Sequence, residues 1–160
     1  MVPENSIVSL PDERILNKIY QIRGQKVMLD RDLAYLYDVE TKVLKQQVRR
    51  NLDRFPDDFM FELTDSEFTN LRSQFVTSNS DNMGLRYAPM AFTEHGVLML
   101  SSVLNSKRAL SVNIQIVRIF TKVRQMLADT VNLKLEIEEI KQKVQNQDKT
   151  SNLYSATSTN

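Results

Sequence analysis

The feature that most restricts this chain is a series of apolar residues spaced alternately four and three apart: Val112, Ile116, Ile119, Val123 and Met126, then Leu133, Ile137, Ile140 and Val144, with Thr130 in the one gap. Only an α-helix brings such positions to one side, and the narrow spacing is that of a coiled-coil seam rather than the broader stripe of a globular helix. Some 35 helical residues would reach about 50 Å at 1.5 Å per residue, so the helix is expected to extend past its own domain. Its first half, through Met126, is expected to dock on that domain. The second half, LKLEIEEIKQKV at 133–144, carries Glu and Lys around the seam and is expected to bind a second copy, parallel or antiparallel, with a heterologous regulatory protein as the other candidate partner.

The globular part must come from the residues before it. IYQIRGQKVML, 19–29, alternates apolar and polar residues around Arg23-Gly24-Gln25, the pattern of a short hairpin with glycine in its turn. Asp30 then reads as the cap of a helix whose Leu33, Leu36 and Tyr37 fall on one side. After Asp38-Val39-Glu40 a second helix follows, with Thr41 as its N-cap and Leu44 and Val48 as its apolar anchors. Two short helices joined this tightly have the outline of a helix-turn-helix, with Asp38 tolerating a left-handed turn where glycine is usual. RFPDDFMFEL, 54–63, reads as a half-buried strand, and Thr64 to Glu67 as a capping box opening a helix with Phe68, Leu71 and Phe75 on one stripe. VTSNSDNMG, 76–84, reads as a loop; RYAPMAF, 86–92, is extended, and Pro89 should confine it to a sheet edge or an irregular strand. Thr93 opens a further apolar helix that Asn105 and Ser106 interrupt, and DKTSNLYSATSTN after Gln147 is expected to be disordered.

The expected fold class is therefore α+β: a small helix-turn-helix-containing domain with short strands, followed by a long C-terminal coiled-coil helix. Its parts are an N-terminal tail at 1–14, the domain at 15–127, the coiled-coil extension at 128–147 and a polar tail at 148–160.

Twenty-one basic residues against twenty acidic ones leave a net charge of +1, so any nucleic-acid surface must be local. The segment 41–54 is where charge becomes one-signed: Lys42, Lys45, Arg49, Arg50 and Arg54 stand against Asp53 alone. A charged helix face is most often only solvated, but such faces usually interleave signs. On a helical wheel Lys42, Lys45, Gln46 and Arg49 share one side, with Arg50 just beyond. A second basic stretch, Lys107, Arg108, Arg118, Lys122 and Arg124, is as well suited to pairing with the acidic run from Asp53 to Glu67 as to DNA.

Catalytic patterns are weak. His95 beside Glu94 is better read as part of a helix's first turn than as an acid–base pair. The acidic run lacks a metal-nuclease pattern around it, and Gly24, Gly84 and Gly96 make no phosphate loop. No enzyme, cofactor or metal is expected. The chain has no cysteine, no basic-then-apolar leader pattern and no long apolar span, and is expected to be cytoplasmic with no membrane association.

IRG at 22–24, VMLDRDLA at 27–34, LY at 36–37, VETK at 39–42, RN at 50–51, RFP at 54–56, DFMF at 58–61 and AFTEHGVLMLSSVL at 91–104 together resemble the KilA-N-type DNA-binding domain of phages and bacteria. The most similar branch is the phage open-reading-frame-six N-terminal domain. The resemblance covers roughly residues 15–127 and implies a small α+β domain that binds double-stranded DNA on phage and prophage regulators and antirepressor-like proteins, placed with the bacterial nucleoid. With that implication, the DNA-contacting residues are expected to be Thr41, Lys42, Lys45, Gln46, Arg49, Arg50 and Arg54. Lys42, Gln46 and Arg49 are assigned to base edges; Lys45, Arg50 and Arg54 to phosphates.

Overall fold

The computed structural model describes residues 10–74 and 88–157. In chain order its elements are α1 (Asp12–Leu16), β1 (Tyr20–Ile22), β2 (Gln25–Leu29), α2 (Asp30–Tyr37), α3 (Thr41–Arg50), a 3-10 turn (Leu52–Arg54), β3 (Met60–Glu62), α4 (Asp65–Ser73), β4 (Met90–Phe92), α5 (Glu94–Leu104) and α6 (Lys107–Thr157). The chain divides into two compact units, Met1–Phe120 and Thr121–Asn160. The expected loop at 76–84 and Phe75 lie outside the described residues.

The sheet grows from the β1–β2 hairpin. Arg23 and Gly24 have φ of 55° and 73°, the pair of positive angles that a two-residue type I′ turn requires. Arg23 occupies a region that L-residues seldom visit, and its side chain is held from three sides. Its Nε and Nη2 donate to the two carboxylate oxygens of Glu67 at 2.8 and 2.9 Å, and its guanidinium lies 4.2 Å from the centre of the Phe61 ring. Glu67 in turn completes the capping box that starts α4, its carboxylate accepting from Thr64 N and its own amide donating to Thr64 Oγ1. Turn and cap thus share one carboxylate.

The four strands run antiparallel in the order β1-β2-β4-β3. β4 is central, pairing Phe92 with Met28 on one side and Met60 on the other. Of the two settings expected from Pro89, a sheet edge or an irregular strand, this rules out the edge. The proline sits just before the strand, where it has no ladder hydrogen bond to give, and its carbonyl accepts from Leu63 N at 3.0 Å. The expected strand across 54–63 is shorter for a related reason: the 3-10 turn occupies its start, and only Met60–Glu62 pair.

Both sheet faces are covered. Ile22, Val27, Leu29, Phe61, Leu63 and Ala91 meet Leu71 and Phe68 of α4 on one side, while α2 and α5 pack on β2 and β4. β4 is consequently buried at all three residues, without the alternation a half-exposed strand would show. α5 begins at the Thr93 cap, whose Oγ1 accepts from Gly96 N and donates to Asp58 O at 2.7 Å. A Cβ on Gly96 would fall 1.9 Å from Phe59 O, so only glycine lets α5 approach the chain entering β3.

The first unit also includes the start of α6 and part of the expected N-terminal tail. Ala109, Val112, Asn113, Ile116, Ile119 and Phe120 are buried. Inside, Tyr37 Oη donates to Asn113 Oδ1, and Asn113 Nδ2 donates to Val97 O at 2.9 Å, which ties α2, α5 and α6 through a satisfied polar group. Leu10 N donates to Gln115 Oε1 at 3.1 Å and Ile15 is fully buried; residues 10–14 therefore belong to the domain. Burial ends at Phe120 rather than at Met126, which is 67% exposed.

The second unit carries α6 onward through Thr157. Residues 148–157, expected to be disordered, continue the helix. Neither proline nor glycine interrupts them, and adding residues to a formed helix avoids the cost of a new nucleus.

Candidate nucleic-acid interface

α2 and α3 are joined by a turn that Asp38 makes possible. Asp38 is left-handed at φ 58° and ψ 46°, and the amides of Asp38 and Val39 return to Tyr35 O and Ala34 O at 3.2 and 3.0 Å. That is a Schellman closure with aspartate in glycine's usual place. The last carbonyls of α2 receive a further donor, Arg108 Nε, 3.1 Å from Leu36 O. One member of the second basic stretch therefore closes a helix end.

α3 starts one residue earlier than expected in its cap: Glu40 is the N-cap, without a side-chain bond, and Thr41 is the first helical residue. Leu44 and Val48 are fully buried, and α3 packs against α2 and α5. Burying two such side chains contributes roughly 1.5–3 kcal/mol each. This anchoring decides which residues face outward.

Lys42, Gln46, Arg49 and Arg50 are exposed, together with Val43, and Thr41 is half-buried. At 3.6 residues per turn they span an arc of about 120° from Arg49 through Lys42 and Gln46 to Val43, with Arg50 inside it. Arg54 is exposed beyond the helix, its Nη1 3.4 Å from Ser102 Oγ on α5.

Lys45 departs from its expected place. Its side chain is 12% exposed, with Nζ 3.3 Å from Asp30 Oδ2 and 3.1 Å from Ala88 O. A helical wheel groups it with the outward cations, but it lies on the border of the buried side, beside the Asp30 carboxylate. Here it tethers α3 to Asp30 and to the chain before β4.

Asp30 explains the tether. The sequence suggests a helix cap, but Leu29 is the N-cap and Asp30 is the first residue of α2, 1% exposed. Oδ1 accepts from Arg31 N at 2.7 Å and Oδ2 from Met90 N at 3.0 Å. One carboxylate joins α2, the central strand and α3. Met90 lies sixty positions away in sequence, so nothing local announces this role.

His95 and Asp32 each have a structural partner. His95 is exposed and stacks on Phe59 with ring centres 5.5 Å apart. Asp32 pairs with Lys18 at 3.6 Å, and burial pushes its carboxyl above the usual range against the opposing pull of Lys18. Among the described residues, no three His, Asp or Glu side chains gather as a metal site would need, and no helix is long and apolar enough to cross a membrane.

The fold and this surface define a small mixed helix-and-sheet domain that presents the outer side of one anchored basic helix. Residues 17–103 match the ORF6N domain, and the chain belongs to this phage-associated family. The match runs from before the hairpin into the last turn of α5, and so contains α2, α3 and the Asp30 tether. No curated protein and no solved structure matches the chain.

Proposed function

We propose that the chain is a non-enzymatic DNA-binding protein, a phage- or prophage-derived transcription regulator of the KilA-N type, whose α3 enters the major groove of duplex DNA. The observation that carries this reading is the outward arc of α3: three long cations and Gln46, with no acidic residue between Glu40 and Asp53. Lys42, Gln46 and Arg49 are positioned to reach base edges, where Arg pairs with guanine and Gln with adenine. Arg50 and Arg54, with Thr41 at the first turn, hold phosphates. Arg49 and Arg50 also lie in the last turn of the helix, where the dipole favours cations; that accounts for their sign but not for Lys42 and Arg54.

Selection of bound sequences from a random duplex pool by the full chain tests the reading. Enrichment of a short motif supports it; a folded protein that retains no duplex at low salt contradicts it. The protein is then expected among the nucleoid DNA of a bacterial cytoplasm.

A second reading is an antirepressor-like adaptor. It is favoured by the exposed apolar side of the second unit, where Leu133 is 57% and Ile140 is 59% exposed. An adaptor has no need of the one-signed arc, so unchanged partner control after its neutralisation would favour this alternative.

A further inference from the structure

The exposed stripe of the second unit fits one occupant best. We infer that it pairs with a second copy of the same chain, as a parallel, two-stranded coiled coil in register.

The seam residues divide into two sets seven apart. Val123, Thr130, Ile137 and Val144 form one, all β-branched; Met126, Leu133 and Ile140 form the other, three positions on. In the heptad notation the first set occupies a and the second d. β-branched residues at a with leucine at d suit a two-stranded parallel pair. Ile140 is the one d position that departs from this pattern, and Met126 and Leu133, both unbranched at Cβ, keep to it.

The flanking charges decide orientation. Asp129, Glu136 and Lys143 fall at g, while Lys134, Lys141 and Asp148 fall at the following e positions. In a parallel in-register pair each g faces the next e of its mate. The three resulting pairs, Asp129 with Lys134, Glu136 with Lys141 and Lys143 with Asp148, are all opposite in sign, and the two-fold axis repeats each one. The last pair reverses its polarity along with both members. An antiparallel pair instead sets e against e and g against g. Registers centred between Leu133 and Val144 then bring Lys134 or Lys141 against a lysine.

Local bonds compete only weakly. Lys141 Nζ is 3.9 Å from Glu138 of its own helix, with both side chains 65% exposed; such a contact contributes little. Gln125 Nε2 donates to Asp129 Oδ1 at 3.2 Å, which leaves the carboxylate its second oxygen.

A pair of chains carries two ORF6N domains. For DNA this means two reading heads and a two-fold-related target. That consequence rests on the DNA reading, whereas the pairing itself does not.

The full chain contains no cysteine, so single cysteines report the geometry directly through disulfide formation, which requires Cα atoms closer than about 7 Å. Thr130→Cys at a and Gln147→Cys at d should each form covalent dimers under mild oxidation, and Gln142→Cys on the outer side should not. Sedimentation equilibrium of the unmodified chain should give twice the chain mass. An antiparallel pair that matches Ile137 with the partner's Ile140 would place Thr130 opposite the partner's Gln147. Cross-linking only in a mixture of the two variants would therefore overturn the inference, as would a monomeric, trimeric or tetrameric mass. None of these readouts involves DNA.

Discussion

Lys45 Nζ lies 3.3 Å from Asp30 Oδ2, with the two side chains 12% and 2% exposed. The same oxygen accepts from Met90 N, so the orientation of α3 is tied to the central strand through a single carboxylate. The outward arc of α3 follows from this tether and from Leu44 and Val48 behind it.

Removing the two ends of the tether should have unequal effects. Asp30→Ala strands the ammonium and the Met90 amide together and should cost about 3 kcal/mol or more. Lys45→Met leaves Asp30 with its amide donors from Arg31 and Met90 and should cost about 1–2 kcal/mol. Urea unfolding of the two variants measures the difference.

Gly96→Ala tests the close approach of α5 to the chain before β3. A Cβ 1.9 Å from a backbone oxygen cannot be accommodated by rotating a side chain, so the backbone must separate, at about 2–3 kcal/mol. Thermal unfolding checks this; a loss under 1 kcal/mol would show that the entry to β3 yields freely.

The local elements were legible because their causes are local. Arg23-Gly24 gives the hairpin its turn, Asp38 closes α2, and Thr64 and Thr93 cap α4 and α5, each within a few residues of its partner. The misplacements have a common origin in distance. Asp30 reads as a cap until β4 brings Met90 to it, and Lys45 reads as a surface cation until Asp30 is seen beneath it. Pro89 suggests an edge or an irregular strand because the sequence does not show that pairing begins one residue later. Of the candidate site, the outward Lys42, Gln46, Arg49 and Arg50 were legible from periodicity and charge. The exclusion of Lys45 was not, since its place on the wheel is only one step from Arg49.

Acid should weaken the link between hairpin turn and capping box. The Arg23 guanidinium, with the Thr64 amide, holds the Glu67 carboxyl down to about 2, below the unfolded value of roughly 4.3. Its stabilisation is full above the unfolded value and lost as pH falls through the folded one. Asp32, raised by burial, shifts stability the opposite way, so the comparison must be by variant. Melting temperatures of Glu67→Gln should fall less between pH 5 and 2 than those of the parent; parallel curves would contradict the link.

Tyr37 supplies the donor to buried Asn113, and burial pushes its hydroxyl above the usual range, keeping the proton in place. Tyr37→Phe leaves Asn113 Oδ1 without that donor and should cost about 1–3 kcal/mol. Denaturant unfolding measures it, and an unchanged midpoint would mean that Asn113 finds another donor.

The outward arc of α3 is tested most directly by the salt dependence of duplex binding for the full chain, compared between the parent, Arg49→Ala with Arg50→Ala, and Lys45→Met. Each phosphate contact contributes about 0.9 to the slope of log affinity against log salt. If α3 reads DNA as assigned, the folded arginine variant binds more weakly than the parent and has a shallower slope, whereas folded Lys45→Met keeps the parental slope. An arginine variant with unchanged affinity and slope, or a Lys45→Met variant with an equal loss, would contradict the assignment.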